Sequence, residues 1–213
     1  MTGIIKVEWL RDFMALSDAD QILKTKVRIG VSGRHIHICQ EHLDILFGRG
    51  HSLTPLRSLT QPGQFACQET VTLRSAKGEI PNVRILGPVR SETQVELSLT
   101  DTFRLKLDMP VPVRMSGDIK GSPGVTMVGP VGEITIDSGV IISQRHVHMT
   151  PQFAQEFGYA DKQIVAVLCP SPRQVVFGSV IVRVREDFDL DFHIDTDEAN
   201  AAGVKSGDIG YIL

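Results

Sequence analysis

Two short histidine motifs carry the clearest chemical signal in this chain. Val31-Ser32-Gly33-Arg34-His35-Ile36-His37 is answered by Ile142-Ser143-Gln144-Arg145-His146-Val147-His148, with Ser, Arg and both His in register. Side chains alternate along a strand with period 2, so an H-x-H pair presents both imidazoles on one face. Two ring nitrogens can then reach a single ion at about 2.0–2.1 Å. One H-x-H in a β-rich chain is commonly just two polar strand residues. Two copies in register, each with a later polar partner, point to metal.

Those partners are Glu96 and His193. Glu96 stands between Val95 and Leu97 and shares its side with Gln94 and Ser98; His193 stands between Phe192 and Ile194, with Asp191 and Asp195 beside it. The pattern predicts one His35-His37-Glu96 site and one His146-His148-His193 site. Three protein ligands with an open fourth position characterise catalytic zinc, whereas structural sites close with four. The carboxylate adds negative charge to the first site only, so the two ions should differ as Lewis acids. Cys39 would face the same way as His35 and His37 on a longer strand, but Thr150 occupies its place in the second copy, which makes it a poor fourth ligand. Arg34 and Arg145 should point away from the metal face and brace the strands. The run 195–198 is expected to cap a helix starting near Ala199.

The elements that must position these groups are mostly strands. Runs at 71–73, 83–86, 95–97, 125–128 and 164–168 are rich in Val, Ile, Leu and Thr and alternate with Gly/Pro turns, which predicts compact barrels or sandwiches. Short helices are expected at 40–47 and 151–157, the second with Thr150 as N-cap and Pro151 at its first position. The echo extends further: the stretch from Val83 to Ser98 resembles that from Val180 to Asp195, which sets Glu96 opposite His193 and implies two related halves. Near the N-terminus, Trp9 with Phe13 and Leu10 with Met14 would form an apolar helical stripe, interrupted by a cap at 17–20. It reads equally as a helix covering the core or a homo-oligomer interface, and as a detachable targeting helix.

Composition narrows the function classes. A net charge of -3 over 213 residues gives no general affinity for nucleic acid, so any anion must be held by local Arg and Lys. No apolar run reaches the roughly 18 residues that cross a bilayer, and no secretory signal pattern opens the chain. Three cysteines without a CxxC fit a reducing, cytoplasmic setting.

Taken together, Val31 to His37, Leu53-Thr54-Pro55-Leu56, Gln61-Pro62-Gly63-Gln64-Phe65, Leu86-Gly87-Pro88-Val89-Arg90 and His193 to Asn200 resemble the PduL-type phosphate propanoyltransferases, a phosphotransacylase family. The resemblance spans Val27 to the C-terminus. It implies reversible exchange of a propanoyl or similar short acyl group between coenzyme A and phosphate. By this match two Zn2+ ions per chain would be held by His35, His37 and Glu96, and by His146, His148 and His193. Arg90 corresponds to the phosphate-binding, catalytic arginine, and Val31, Ser32, Gly33, Lys77, Arg84 and Asn200 to coenzyme A contacts. The ligand set alone would equally allow cobalt or iron. The implied fold is mainly β: two small β-barrels from the duplication with short capping helices, residues 26–33 plus 144–213 forming the first and 34–143 the second, after an amphipathic extension at 1–25. Relatives with such extensions enter a bacterial microcompartment, in a setting of propanediol degradation, which implies shell or core proteins as partners. Gly33 departs from the Asn common there, Ile38-Cys39 from Leu-Ser, and Cys67 from Ala.

The expected mechanism has the first ion binding the coenzyme A sulfur, with the second ion and Arg90 positioning phosphate. No Ser-His-Asp or Cys-His nucleophile is evident, which favours direct transfer over an acyl-enzyme. Two rival interpretations remain. His35-x-His37-x-x-x-Glu41 fits a cupin-type metal motif of an oxygenase or isomerase, and a non-catalytic metal-bearing assembly module would need no acyl transfer at all.

Overall fold

The computed structural model describes residues 25–213. The expected stripe of Trp9, Leu10, Phe13 and Met14 and the cap at 17–20 lie outside the described residues. In chain order the first half contains β1 (Lys26–Ser32), β2 (His35–His37), α1 (Gln40–Phe47), β3 (Pro55–Ser58), β4 (Phe65–Arg74), β5 (Glu79–Gly87), β6 (Gln94–Leu97) and α2 (Leu99–Leu105). There follow β7 (Val113–Arg114), β8 (Val125–Val128), β9 (Glu133–Ile136), β10 (Val140–Ser143), β11 (His146–Met149) and α3 (Pro151–Phe157). The chain ends with β12 (Ile164–Cys169), β13 (Val175–Val184), β14 (Asp191–Asp195), α4 (Thr196–Ala202) and β15 (Ile209–Ile212).

These elements form two compact units, one built from residues 25–31 with Arg145–Leu213, the other from Ser32–Gln144. In the first, six strands close a barrel in the order β1-β14-β11-β13-β12-β15, sealed where β15 pairs antiparallel with β1. Closure leaves no strand edge unpaired. In the second, nine strands curl into a half-barrel along the path β7-β10-β6-β2-β5-β4-β8-β9, with β3 added on β4. The mainly β expectation holds, and the second sheet is curled without closing.

Each unit has its own core. Ile36, Leu43, Leu46, Leu73, Val83, Ile85, Val95 and Met127 pack in the curled sheet; Val27, Ile29, Val147, Val167, Val182, Phe192 and Ile194 pack in the barrel. Strand alternation assigns faces: in β1 the inward Val27 and Ile29 alternate with outward Lys26 and Arg28. Burial of an Ile or Val contributes on the order of 1.5–3 kcal/mol. Ile36 and Val147, both wholly buried, therefore commit the flanking histidines of β2 and β11 to the opposite face.

The duplication survives as topology. β2 pairs parallel with β5 and antiparallel with β6, aligning His35 with Arg84 and with Glu96. β11 pairs parallel with β13 and antiparallel with β14, aligning His146 with Ile181 and with His193. α1 and α3 occupy the expected positions, and the Thr150 hydroxyl caps α3 by accepting from Phe153 N at 3.2 Å. α4 begins at Thr196 rather than near Ala199, because Asp195 itself is the N-cap and forms a capping box with Glu198.

Candidate metal centres

The strand registers bring six side chains into two clusters of three. His35, His37 and Glu96 form one, and His146, His148 and His193 the other, with potential ligand atoms inside 4.8 Å of one another. In the first, Glu96 Oε2 lies 3.6 Å from His35 Nε2 and Glu96 Oε1 lies 3.7 Å from His37 Nε2. All three residues are buried. In the second, the ring centroids are 4.6 to 5.0 Å apart, with His146 and His193 stacked. Glu41, the acid a cupin motif would use, is exposed in the first turn of α1.

Supporting groups surround both clusters. His35 Nδ1 is 2.8 Å from the Gly33 carbonyl oxygen, which directs its Nε2 lone pair toward Glu96. Gln94, opposite His37, donates to Glu96 Oε1 at 2.5 Å and to Ser116 Oγ at 2.9 Å, and it accepts from Gly117 N at 2.7 Å. At the corresponding place opposite His148 stands the fully buried Asp191. Its Oδ2 is 3.4 Å from His193 Nε2 and its Oδ1 is 3.6 Å from Arg28 Nε. A Cβ on Gly30 would come within 3.2 Å of Asp191 Oδ2, so the small residue leaves room for this carboxylate. His148 stacks on Phe188 at 3.9 Å, and Arg183 and Arg185 lie over the other ring. Gln94 and Asp191 were visible only as neighbours of Glu96 and His193; nothing local marks Phe188 or Arg183.

The electrostatics favour metal-ready forms. Burial, and then the neighbouring His35, hold the His37 imidazolium down to about 3. Burial, reinforced by His146 and His193, lowers His148 strongly. Burial opposes ionisation of Glu96, yet His35 and His37 with the Ser143 and Ser116 hydroxyls outweigh it and lower its carboxyl. Metal ligands bind in their deprotonated forms, the direction in which His37, His148 and Glu96 are shifted. His148 Nδ1 and His193 Nε2 are buried without a hydrogen-bond partner, a cost that a bound ion would relieve. The donor sets therefore fit a transition metal such as zinc.

Arg90 is exposed, donates to Ser116 Oγ at 3.2 Å, and its charge reaches His37. Arg84 donates to the Cys67 carbonyl at 2.5 Å. Lys77 lies in the β4–β5 turn, paired with Asp108. Val31 N donates to Ser206 Oγ at 3.0 Å, Ser32 is half-buried, and Gly33 and Asn200 are exposed. Cys39 leaves the strand line to stand at the N-cap position of α1, where its Sγ accepts from the Thr93 hydroxyl at 3.4 Å. Burial pushes the Cys67 thiol up to about 11 and Cys169 to about 12, so neither is poised as a nucleophile.

A sequence model of the phosphate propanoyltransferases matches residues 28–205. The chain belongs to the phosphate propanoyltransferase family. Among relatives of that name, the protein of Thermotoga maritima is 54% identical over 186 residues, covering 87% of this chain and 88% of its own. That of Lachnoclostridium phytofermentans is 50% identical over 188 residues, 88% of this chain and 87% of its own. That of Rhodobacter capsulatus is 44% identical over 202 residues, 95% of this chain and 92% of its own. The family is one of transferases, and membership makes this chain an enzyme of that class.

Proposed function

We propose that this enzyme reversibly exchanges propanoyl or a similar short acyl group between coenzyme A and inorganic phosphate, using two zinc ions held by the two clusters. The observation carrying this reading is the pair of buried three-residue clusters in equivalent registers, within a chain of this family. In the forward direction a phosphate oxygen attacks the thioester carbonyl, the carbon–sulfur bond breaks, and thiolate departs with its electron pair. Bound zinc would supply Lewis acidity, lowering the pKa of a thiol and neutralising anionic oxygens.

The chain's own residues divide the remaining work. Glu96 gives its cluster one negative charge, which suits a site serving a coenzyme A sulfur, whereas the all-histidine cluster suits an anionic oxygen. Arg90 offers a forked donor for phosphate, and the hydrogen bonds Arg90–Ser116–Gln94–Glu96 tie that guanidinium to the first cluster. Val31, Ser32, Gly33, Lys77, Arg84 and Asn200 are assigned to coenzyme A. Direct transfer is favoured because burial raises the Cys67 and Cys169 thiols away from nucleophilic thiolate. Residues 1–24 are assigned to targeting into a microcompartment lumen. No helix among the described residues is long and apolar enough to cross a membrane.

The test is incubation of zinc-loaded protein with propanoyl-CoA and phosphate while free thiol and acyl phosphate are followed. Stoichiometric appearance of both supports the proposal. Thiol release without acyl phosphate, or no turnover in either direction, refutes it.

A further inference from the structure

The two arginines that precede the H-x-H pairs share more than their place in sequence. Arg34 pairs with Asp101, and Arg145 Nη1 meets Glu198 Oε1 at 2.6 Å. Both acids occupy the third position of a helix, α2 or α4, that begins immediately after the strand carrying the third member of the cluster. Both close a capping box: Ser98 with Asp101, and Asp195 with Glu198. The spacing is the same in both halves. The N-cap follows Glu96 or His193 by two residues, and the acid follows by five. Arg145 is held further by donating from Nε to the Gly178 carbonyl at 2.7 Å.

We propose that Arg34 and Arg145 are positioning residues for the two metal clusters, each clamping the third ligand in register with its histidine pair. This rests on the metal reading above. The physical need comes from strand length. β2 has three residues and β6 four; β11 has four and β14 five. So few ladder bonds hold register weakly, and a slip of one residue would turn Glu96 or His193 to the opposite face. The arginine leaves the chain one residue before the first histidine, and the acid sits one helical turn beyond the third ligand. Their bond thus closes a ring through the cross-strand pairs His35–Glu96 and His146–His193. The acids are the less exposed partners, with side-chain exposures of 5% for the buried Asp101 and 19% for the half-buried Glu198, against 40% and 30% for the arginines, so each arginine is drawn to a more fixed point. A guanidinium holds such a point with a planar fork, which an ammonium lacks.

The experiment isolates each cluster. His146→Ala leaves the first cluster intact and His35→Ala the second. Zinc affinity is read by competition with a chromogenic chelator at neutral pH. Adding Arg34→Gln to His146→Ala should weaken zinc binding about 10–100-fold, the range for outer ligand supports. Adding Arg145→Gln to that parent should leave it unchanged, and the converse should hold in His35→Ala. Arg34→Lys and Arg145→Lys should recover part of the loss. Should either glutamine variant fail to fold, Asp101→Asn or Glu198→Gln breaks the same pair from the helix side, with the same expected weakening. Zinc affinity equal to the parent in these variants, with only a lower melting temperature, would make the arginines plain structural braces and overturn the proposal. If the parents themselves bind no zinc, the metal reading fails first and the clamp falls with it.

Discussion

Glu96 and His193 hold equivalent places and differ by one charge, so substitutions there test the metal assignment directly. Glu96→Gln is expected to reduce bound zinc from two ions per chain to one, while Glu96→His should retain two; elemental analysis after dialysis measures both. A second acid is tied down away from the clusters. Glu69 accepts from Thr54 N at 3.1 Å and lies 2.9 Å from His51 Nε2. Burial raises its carboxyl, but the bonds to His51 and Thr54 outweigh burial and leave it below its ordinary value near 4.5. A lowered folded value means that Glu69 contributes fully above about pH 4.5 and progressively less as pH falls below it. The stability gap between wild type and Glu69→Gln, read from urea unfolding, should therefore narrow on acidification from pH 7 to pH values below 4.5. A gap that widens instead would contradict this assignment.

Among elements, the helices were unevenly legible, and a local cap did not by itself reveal one. α1 and α3 follow from Pro151, Thr150 and apolar spacing, whereas α2 was missed although Ser98-Leu99-Thr100-Asp101 carries the S-x-x-D cap signature. The preceding β run of Val95 and Leu97 hid it. The cap makes a testable contribution: Ser98→Ala should cost about 1 kcal/mol, seen as a lower urea midpoint. The β8–β9 turn supplies another case. Val131 N donates to the Leu46 carbonyl at 3.1 Å, covering the C-terminal end of α1. A Cβ on Gly129 would lie 2.4 Å from Leu46 O and 2.8 Å from Leu46 Cβ, both too close. Gly129→Ala should destabilise by about 1–3 kcal/mol, measured by the same unfolding.

For the whole molecule, the first described contacts begin at Thr25, whose hydroxyl donates to the Ile212 carbonyl at 2.7 Å, and both clusters lie beyond it. A chain beginning at Thr25 should therefore keep acyl exchange within a few-fold of the full chain in the thiol-release assay. Loss of turnover would give residues 1–24 a catalytic part. The sequence by itself determined which side chains could bind metal, which faces of β2 and β11 they share, and that the chain repeats itself, because strand alternation and motif spacing are properties of a few neighbouring residues. Only the tertiary structure decided the registers that align Glu96 with His35 and His193 with His146, that one sheet closes and the other curls open, and that Arg34 and Arg145 pair with Asp101 and Glu198. Those outcomes depend on which distant strands pair and in what register, and pairing is set by the packing of entire sheet faces rather than by any local run of residues.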